Sequence, residues 1–143
     1  MKPVAYEGSE PYIFISYAHK NSQEMLELLK KLQESGYRFW YDDGIDPGTE
    51  WDEFIAKKIE RCSYFIAFLS EEYLASENCR DELNYARDLQ KDRLLVYLTD
   101  VKLTGGMAMR LNRLQAIHKY SYPSLADFLA KLEETPALKD YRD

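Results

Sequence analysis

Apolar residues along the chain fall into short blocks of two kinds, and the kinds alternate. Tyr12-Ile13-Phe14-Ile15-Ser16 is an almost continuous apolar run, the pattern of a strand buried on both faces of a parallel sheet. After a polar loop, Met25, Leu28, Leu29 and Leu32 mark one stripe of a helix. Asn21 with Glu24 three residues on reads as a capping box at its start, and Gly36 closes it. Tyr37 to Tyr41 is aromatic and strand-like. The following Asp42-Asp43-Gly44-Ile45-Asp46-Pro47-Gly48 is dense in turn formers and predicts a long exposed loop. Trp51, Phe54, Ile55 and Ile59 space out as a second amphipathic helix, and Tyr64 to Leu69 is the most hydrophobic strand of the chain, which predicts a central position.

Beyond Ser70 a single helical stretch is expected up to about Lys91, with Leu83, Ala86 and Leu89 or Gln90 at helical spacing, and Leu94 to Leu98 reads as a fourth strand. Gly105-Gly106 and Met107 to Leu114 read as a loop with a short helix, and Ala116 to Tyr120 as an edge strand. Ser124 with Asp127 caps a last helix carrying Leu125, Phe128, Leu129 and Leu132, and Pro136 ends it. Strand and helix in strict alternation imply βαβ units with right-handed crossovers. The expected fold class is α/β: a flavodoxin-like three-layer sandwich on a parallel five-stranded sheet of order 2-1-3-4-5. No repeat, linker or low-complexity segment interrupts the pattern, and 143 residues suit one core.

Composition narrows the functions open to such a fold. A net charge of −6 with no basic stripe speaks against a nucleic-acid or anionic-membrane surface, since both gather Lys and Arg to release phosphate counterions. No stretch of 18 apolar residues occurs and the segment from Met1 to Glu10 is polar, so a cytoplasmic location is expected. Two cysteines, Cys62 and Cys79, and two histidines are too few for a disulfide framework or a zinc ligand set, and no metal is expected. In an open parallel sheet, ligands bind beyond the carboxyl ends of the strands where strand order reverses. Three loops qualify, Ser16 to Lys20, Asp42 to Glu50 and Ser70 to Asn78, and Glu82 lies one or two turns into the helix that leaves the third. Cys79 and Glu82, three residues apart, share one face of that helix, while Leu83 and Ala86 turn toward the sheet. By spacing alone, Glu82 is one acid among 25 on solvated surfaces.

Four pieces of sequence, in order, resemble those of a TIR domain over about Tyr12 to Leu132. They are Phe14-Ile15-Ser16-Tyr17, then Gly36 to Asp42 (GYRFWYD), then Gly44-Ile45-Asp46-Pro47-Gly48, and finally Ser70 to Leu83, which is similar to the family's S-x-x-[YF]-x-x-S-x-W-C-x-x-E-[LF]. The resemblance implies a TIR domain over residues 11–136, with residues 1–10 a polar extension and 137–143 a tail. It implies one of two activities: NAD⁺ cleavage, or a non-catalytic adaptor role through homotypic binding. Members that cleave NAD⁺ carry a glutamate in the C-x-x-E piece, and Glu82 occupies it. The chain departs from the pattern at Asn78, where Trp is usual, which leaves Trp40, Tyr17 or Tyr73 to supply an aromatic surface.

The expected reaction is release of nicotinamide from NAD⁺, leaving ADP-ribose or a cyclic form of it. One carboxylate suffices on chemical grounds. The pyridinium departs as a neutral base and needs no general acid, so the remaining task is electrostatic support of the oxocarbenium ion. The substrate-facing set is Ser16, Tyr17, His19, Trp40, Asp46, Trp51, Ser70, Asn78 and Cys79 around Glu82, with Ser16, Tyr17 and His19 on the loop whose N–H groups suit a phosphate. No G-x-G-x-x-G follows the first strand, so NAD⁺ is expected as substrate and not as a Rossmann-bound cofactor, and no other cofactor is expected. His118 is expected to be structural. The partners expected are other TIR domains, in an open homo-oligomer built through Asp43, Gly44, Ile45, Pro47 and Gly48, where Ile45 is an apolar anchor among acids, Gly and Pro.

Overall fold

The computed structural model describes residues 2–43 and 51–143, the side chains of residues 51 and 52 excepted. Five parallel strands, β1 (Ile13–Ser16), β2 (Phe39–Tyr41), β3 (Tyr64–Leu69), β4 (Asp92–Tyr97) and β5 (Ala116–His118), form one sheet of order β2-β1-β3-β4-β5. This is the expected topology. Among the described residues six α-helices connect or cover the strands: α1 (Ser22–Glu34), α2 (Trp51–Arg61), α3 (Glu71–Ala75), α4 (Glu77–Asp88), α5 (Gly105–Leu111) and α6 (Leu125–Glu133). None of the described helices is long and apolar enough to cross a membrane.

Alternation along the strands divides the core into two layers of side chains. Ile13 and Ile15 of β1, Tyr64, Ile66 and Phe68 of β3, and Leu94 and Val96 of β4 face one side, where Met25, Leu28, Leu29 and Leu32 of α1 and Phe128 and Leu132 of α6 cover them. Phe14, Phe65, Ala67, Leu69 and Leu95 face the other side, against Ile55 and Ile59 of α2 and Leu83 and Ala86 of α4. All six residues of β3 are buried, as its composition predicts for a central strand. The register sets Ile13, Ile15 and Ser16 of β1 beside Tyr64, Ile66 and Ala67 of β3, so Ser16 ends its strand on the same face as Phe14, toward α4.

Local chemistry sets the helix ends. Gly36 takes φ +89, and the N–H groups of Gly36 and Tyr37 return to the carbonyls of Gln33 and Leu32 at 3.0 and 3.1 Å, a Schellman closure of α1. The capping box expected at Asn21 is not formed, because Asn21 makes no side-chain cap bond and its amide is used elsewhere. The single helix expected from Ser70 to Lys91 is two. Ser76 breaks it with an extended backbone (φ −88, ψ 118) and caps α4 by accepting from the Cys79 N–H, as Ser70 caps α3 by accepting from the Tyr73 N–H.

Both ends of the described chain are built into the fold rather than forming the expected extension and tail. The Tyr6 N–H donates to the Phe39 carbonyl at 2.8 Å, and the Arg38 N–H donates to the Tyr141 carbonyl at 2.7 Å. Leu138 and Tyr141 are buried, and Arg38, itself buried, donates to the carbonyls of Pro11 and Asp140 and pairs with Asp143. The apolar positions are what drive this docking, and together the two segments cover the edge at β2.

Candidate functional site

Three chain segments meet beyond the carboxyl ends of β1 and β3, the point where strand order reverses. The loop after β1 brings Tyr17, His19 and Lys20; α3 and the break after it bring Glu71, Glu72 and Ser76; α4 brings Asn78, Cys79 and Glu82. They enclose an open cavity of about 510 Å³. A second cavity of about 420 Å³ lies between α2 and α4, lined among the described residues by Ile55, Ile59, Glu77, Asp81 and Tyr85. Asn78 and Glu82 border both.

Glu82 is fixed from beneath. Ser16 Oγ donates to Glu82 Oε1 at 2.7 Å. Having given its one proton to the carboxylate, Ser16 accepts from the Tyr73 hydroxyl, 2.8 Å away, which also lies 3.3 Å from the Cys79 carbonyl oxygen. Tyr73 has no solvent exposure, and its backbone N–H donates to Ser70 Oγ at 3.0 Å. Ser70 Oγ in turn donates to Asn21 Oδ1 at 2.7 Å, and the Asn21 amide donates to Glu72 Oε1 at 3.1 Å. The diverted cap residue thus ties α1 to α3 under the cavity.

Burial raises the Glu82 carboxyl from its ordinary 4.5 to about 7. The Ser16 hydrogen bond and the charge of His19 pull it back down, while the carboxylates of Asp42 and Asp81 push it up. His19 Nε2 lies 3.3 Å from Asp42 Oδ2, and its hydrogen bond to Asp42 holds the imidazole above its ordinary value. The Tyr17 hydroxyl donates to the backbone carbonyl of Asp42 at 2.7 Å, so both loop residues fasten the chain at the end of β2.

Of the expected set, Tyr17, His19, Asn78, Cys79 and Glu82 meet at the larger cavity. Others need correction. Ser16 and Ser70 are buried, with hydroxyls committed to Glu82 and to Asn21, so they hold the site in place and present no free group to a substrate. Trp40 lies in the core under α2, stacked on Phe14 with ring centroids 5.5 Å apart and its indole N–H on Glu7; it shares a sheet face with Ser16 but is buried and lines neither cavity. Tyr73 is likewise fully buried. Cys79 lines the cavity, but burial pushes its thiol up to about 12, which keeps it protonated. Asp46, the side chain of Trp51 and the loop residues Gly44, Ile45, Pro47 and Gly48 lie outside the described residues, while Asp43 is exposed at the last described position before them. His118 stacks on Tyr97 with centroids 4.8 Å apart.

The sequence reading missed the anchoring roles of Tyr73, Asn21 and Asp42. The first was signalled by Ser70 three residues before Tyr73 and Ser76 three before Cys79, two cap spacings in succession that predict two helix starts.

A family model described as TIR domain matches residues 13–131. No curated protein matches the sequence. Among solved structures, the chain is similar to the TIR domain of a Toll-related receptor from Hydra magnipapillata, with a TM-score of 0.67 at 18% identity over 85% of this chain and 94% of that one. The TIR domains of the activated Roq1 resistosome, which recognises the pathogen effector XopQ, align with a TM-score of 0.55 at 18% identity over 90% of this chain and 74% of theirs. A CMP N-glycosidase from Clostridium botulinum aligns with a TM-score of 0.55 at 17% identity over 85% of this chain and 98% of that one. At these identities the likeness is one of fold.

Proposed function

The chain belongs to the TIR domain family, and on that premise we propose that it cleaves the bond between nicotinamide and ribose in NAD⁺, with Glu82 as the catalytic residue. The observation that carries the reading is a desolvated carboxylate at the switch point of the sheet, held by Ser16 at 2.7 Å and bordering two cavities.

The reaction asks little proton transfer of the protein. The C1′–N bond breaks with its electron pair going to the ring nitrogen, so the positively charged pyridinium leaves as neutral nicotinamide. The ribose is left as an oxocarbenium ion, which an ionised Glu82 supports electrostatically until water, or an adenine nitrogen of the same molecule, attacks the anomeric carbon. Preorganised charges of this kind are worth about 3–4 kcal/mol, or 10²–10³ in rate. Substrate supplies part of what Glu82 needs. With a carboxyl near 7, the free site is about half protonated at neutral pH, and a bound pyridinium cation favours the ionised form. Desolvation and the substrate's charge together produce an anion when the cation is present.

A second reading, a non-catalytic adaptor that binds other TIR domains, is favoured by one observation: Asn78 stands where the NAD⁺-cleaving pattern has Trp. Incubation of concentrated protein with NAD⁺, followed by mass spectrometry of the products, separates the two. Free nicotinamide with ADP-ribose or its cyclic form is the expected result; intact NAD⁺ at every protein concentration selects the adaptor.

A further inference from the structure

The hydroxyl chain beneath Glu82 contains one more acceptor than a fixed anchor needs. Ser16 Oγ lies 2.7 Å from Glu82 Oε1 and 2.8 Å from the Tyr73 hydroxyl, and that hydroxyl lies 3.3 Å from the Cys79 carbonyl oxygen. Ser16 and Tyr73 are both buried, so each of their protons has to find its acceptor inside this chain. With Glu82 ionised, Ser16 donates to the carboxylate and Tyr73 donates to Ser16, which aligns two O–H dipoles on the charge. With Glu82 protonated the order reverses: the carboxyl donates to Ser16, Ser16 to the Tyr73 oxygen, and Tyr73 to the Cys79 carbonyl. Neither order leaves a hydroxyl proton without an acceptor. The chain therefore accommodates both states of the carboxyl by turning O–H bonds alone.

We propose that Tyr73 is a positioning residue for Glu82, its hydroxyl donating to Ser16 while the carboxyl is ionised and turning to the Cys79 carbonyl when the carboxyl is protonated. This rests on the reading of Glu82 as the catalytic residue and says how its charge is sustained in a desolvated place. The two helix caps aim the chain: Ser70 holds the Tyr73 N–H at 3.0 Å, and Ser76 holds the Cys79 N–H at 3.2 Å. Other charged groups also act on Glu82. His19, on the loop after β1, lowers its carboxyl, while Asp42 at the end of β2 and Asp81 on α4 raise it. Lys20, Glu71 and Glu72 line the same cavity. Tyr73→Phe leaves all of these in place, so its difference from wild type reports the hydroxyl.

The test is a carbon-13 NMR titration of the Glu82 carboxyl in the full chain, with the signal assigned by its absence from Glu82→Gln. Tyr73→Phe is expected to raise the titration midpoint by about half to one pH unit, the worth of one neutral hydrogen bond lost to the ionised form, with the near-UV circular dichroism unchanged. Ser16→Ala is expected to raise it by about one to two pH units, since a bond made directly to the charge is worth more. Once Ser16→Ala has cut the path from Tyr73 to the carboxylate, adding Tyr73→Phe moves the midpoint no further. 3-Fluorotyrosine placed at position 73 has a more acidic hydroxyl and is a stronger donor of nearly the same shape. It is expected to lower the midpoint, and it decides the matter if Tyr73→Phe does not fold. A midpoint unmoved by Tyr73→Phe, shifts that add in the double variant, or a midpoint that 3-fluorotyrosine fails to lower overturns the positioning role. Nicotinamide release from NAD⁺ by the wild-type chain is scored separately. Release with an unmoved midpoint removes this role alone, and a moved midpoint without release keeps the hydroxyl chain while removing the cleavage reading.

Discussion

A carboxylate that supports a cation has to be charged when the cation forms, and burial opposes that charge. At Glu82 the opposition is visible as a carboxyl raised from 4.5 to about 7, despite the Ser16 hydrogen bond at 2.7 Å. The same shift is a statement about stability. The folded protein holds a proton on Glu82 that the unfolded chain releases, so this group's contribution is greatest below pH 4.5 and is lost as pH rises through 7, by about 3 kcal/mol in all. Glu82→Gln keeps an oxygen to accept from Ser16 and removes the titration. Its stability relative to wild type, measured by urea unfolding, is expected to improve by about 3 kcal/mol between pH 4.5 and pH 8; a difference independent of pH would mean that Glu82 is not held in a desolvated site. The candidacy of Glu82 was legible in the sequence through the C-x-x-E piece. Its anchoring was not, because the Ser16–Glu82 and Ser16–Tyr73 contacts span 66 and 57 residues and depend on which face of β1 Ser16 takes.

At the scale of elements, the site depends on a helix being interrupted. One continuous helix from Ser70 onward would carry Asn78 and Glu82 on a different axis; the extended backbone at Ser76 starts α4 afresh and turns it across the end of β1. Periodicity of Leu83, Ala86 and Leu89 revealed the helix but not its start, since apolar spacing reports the buried face and says little about caps. Ser76→Ala removes the acceptor for the Cys79 N–H, 3.2 Å away, and is expected to cost about 1 kcal/mol of stability, read as a lower urea midpoint with an unchanged slope. An unaltered midpoint would mean that Ser76 is not what sets the start of α4. Trp40 shows the opposite error. Its aromatic character drew it into the expected site, whereas the alternation Phe39, Trp40, Tyr41 sends the middle residue into the layer beneath α2.

For the whole molecule, alternating strand and helix blocks predict a parallel sheet with right-handed crossovers but leave more than one doubly wound strand order open; the order β2-β1-β3-β4-β5 is the expected flavodoxin-like one. The packing of residues 2–10 and 137–143 against the β2 edge was hidden by their mostly polar composition, in which a few scattered side chains, Pro3, Ala5, Tyr6, Leu138 and Tyr141, carry the docking. Assembly belongs to this scale as well. We propose that turnover needs a neighbouring copy docked through the loop that carries Ile45, the expected homo-oligomer contact, so specific activity is expected to climb across a hundredfold range of protein concentration, and Ile45→Glu is expected to suppress the climb. A flat line with a monomeric species in light scattering would assign turnover to the single domain. The central claim, that an ionised Glu82 does the chemistry, is tested most directly by the pH profile of nicotinamide release from NAD⁺ at high protein concentration, wild type against Glu82→Gln. The expected kcat/KM of the wild type rises with pH through about 7 and then levels off, following the carboxylate, and Glu82→Gln lies at least a hundredfold below the plateau at every pH. More than a tenth of wild-type activity in Glu82→Gln, or a wild-type profile with no rise near 7, would contradict it.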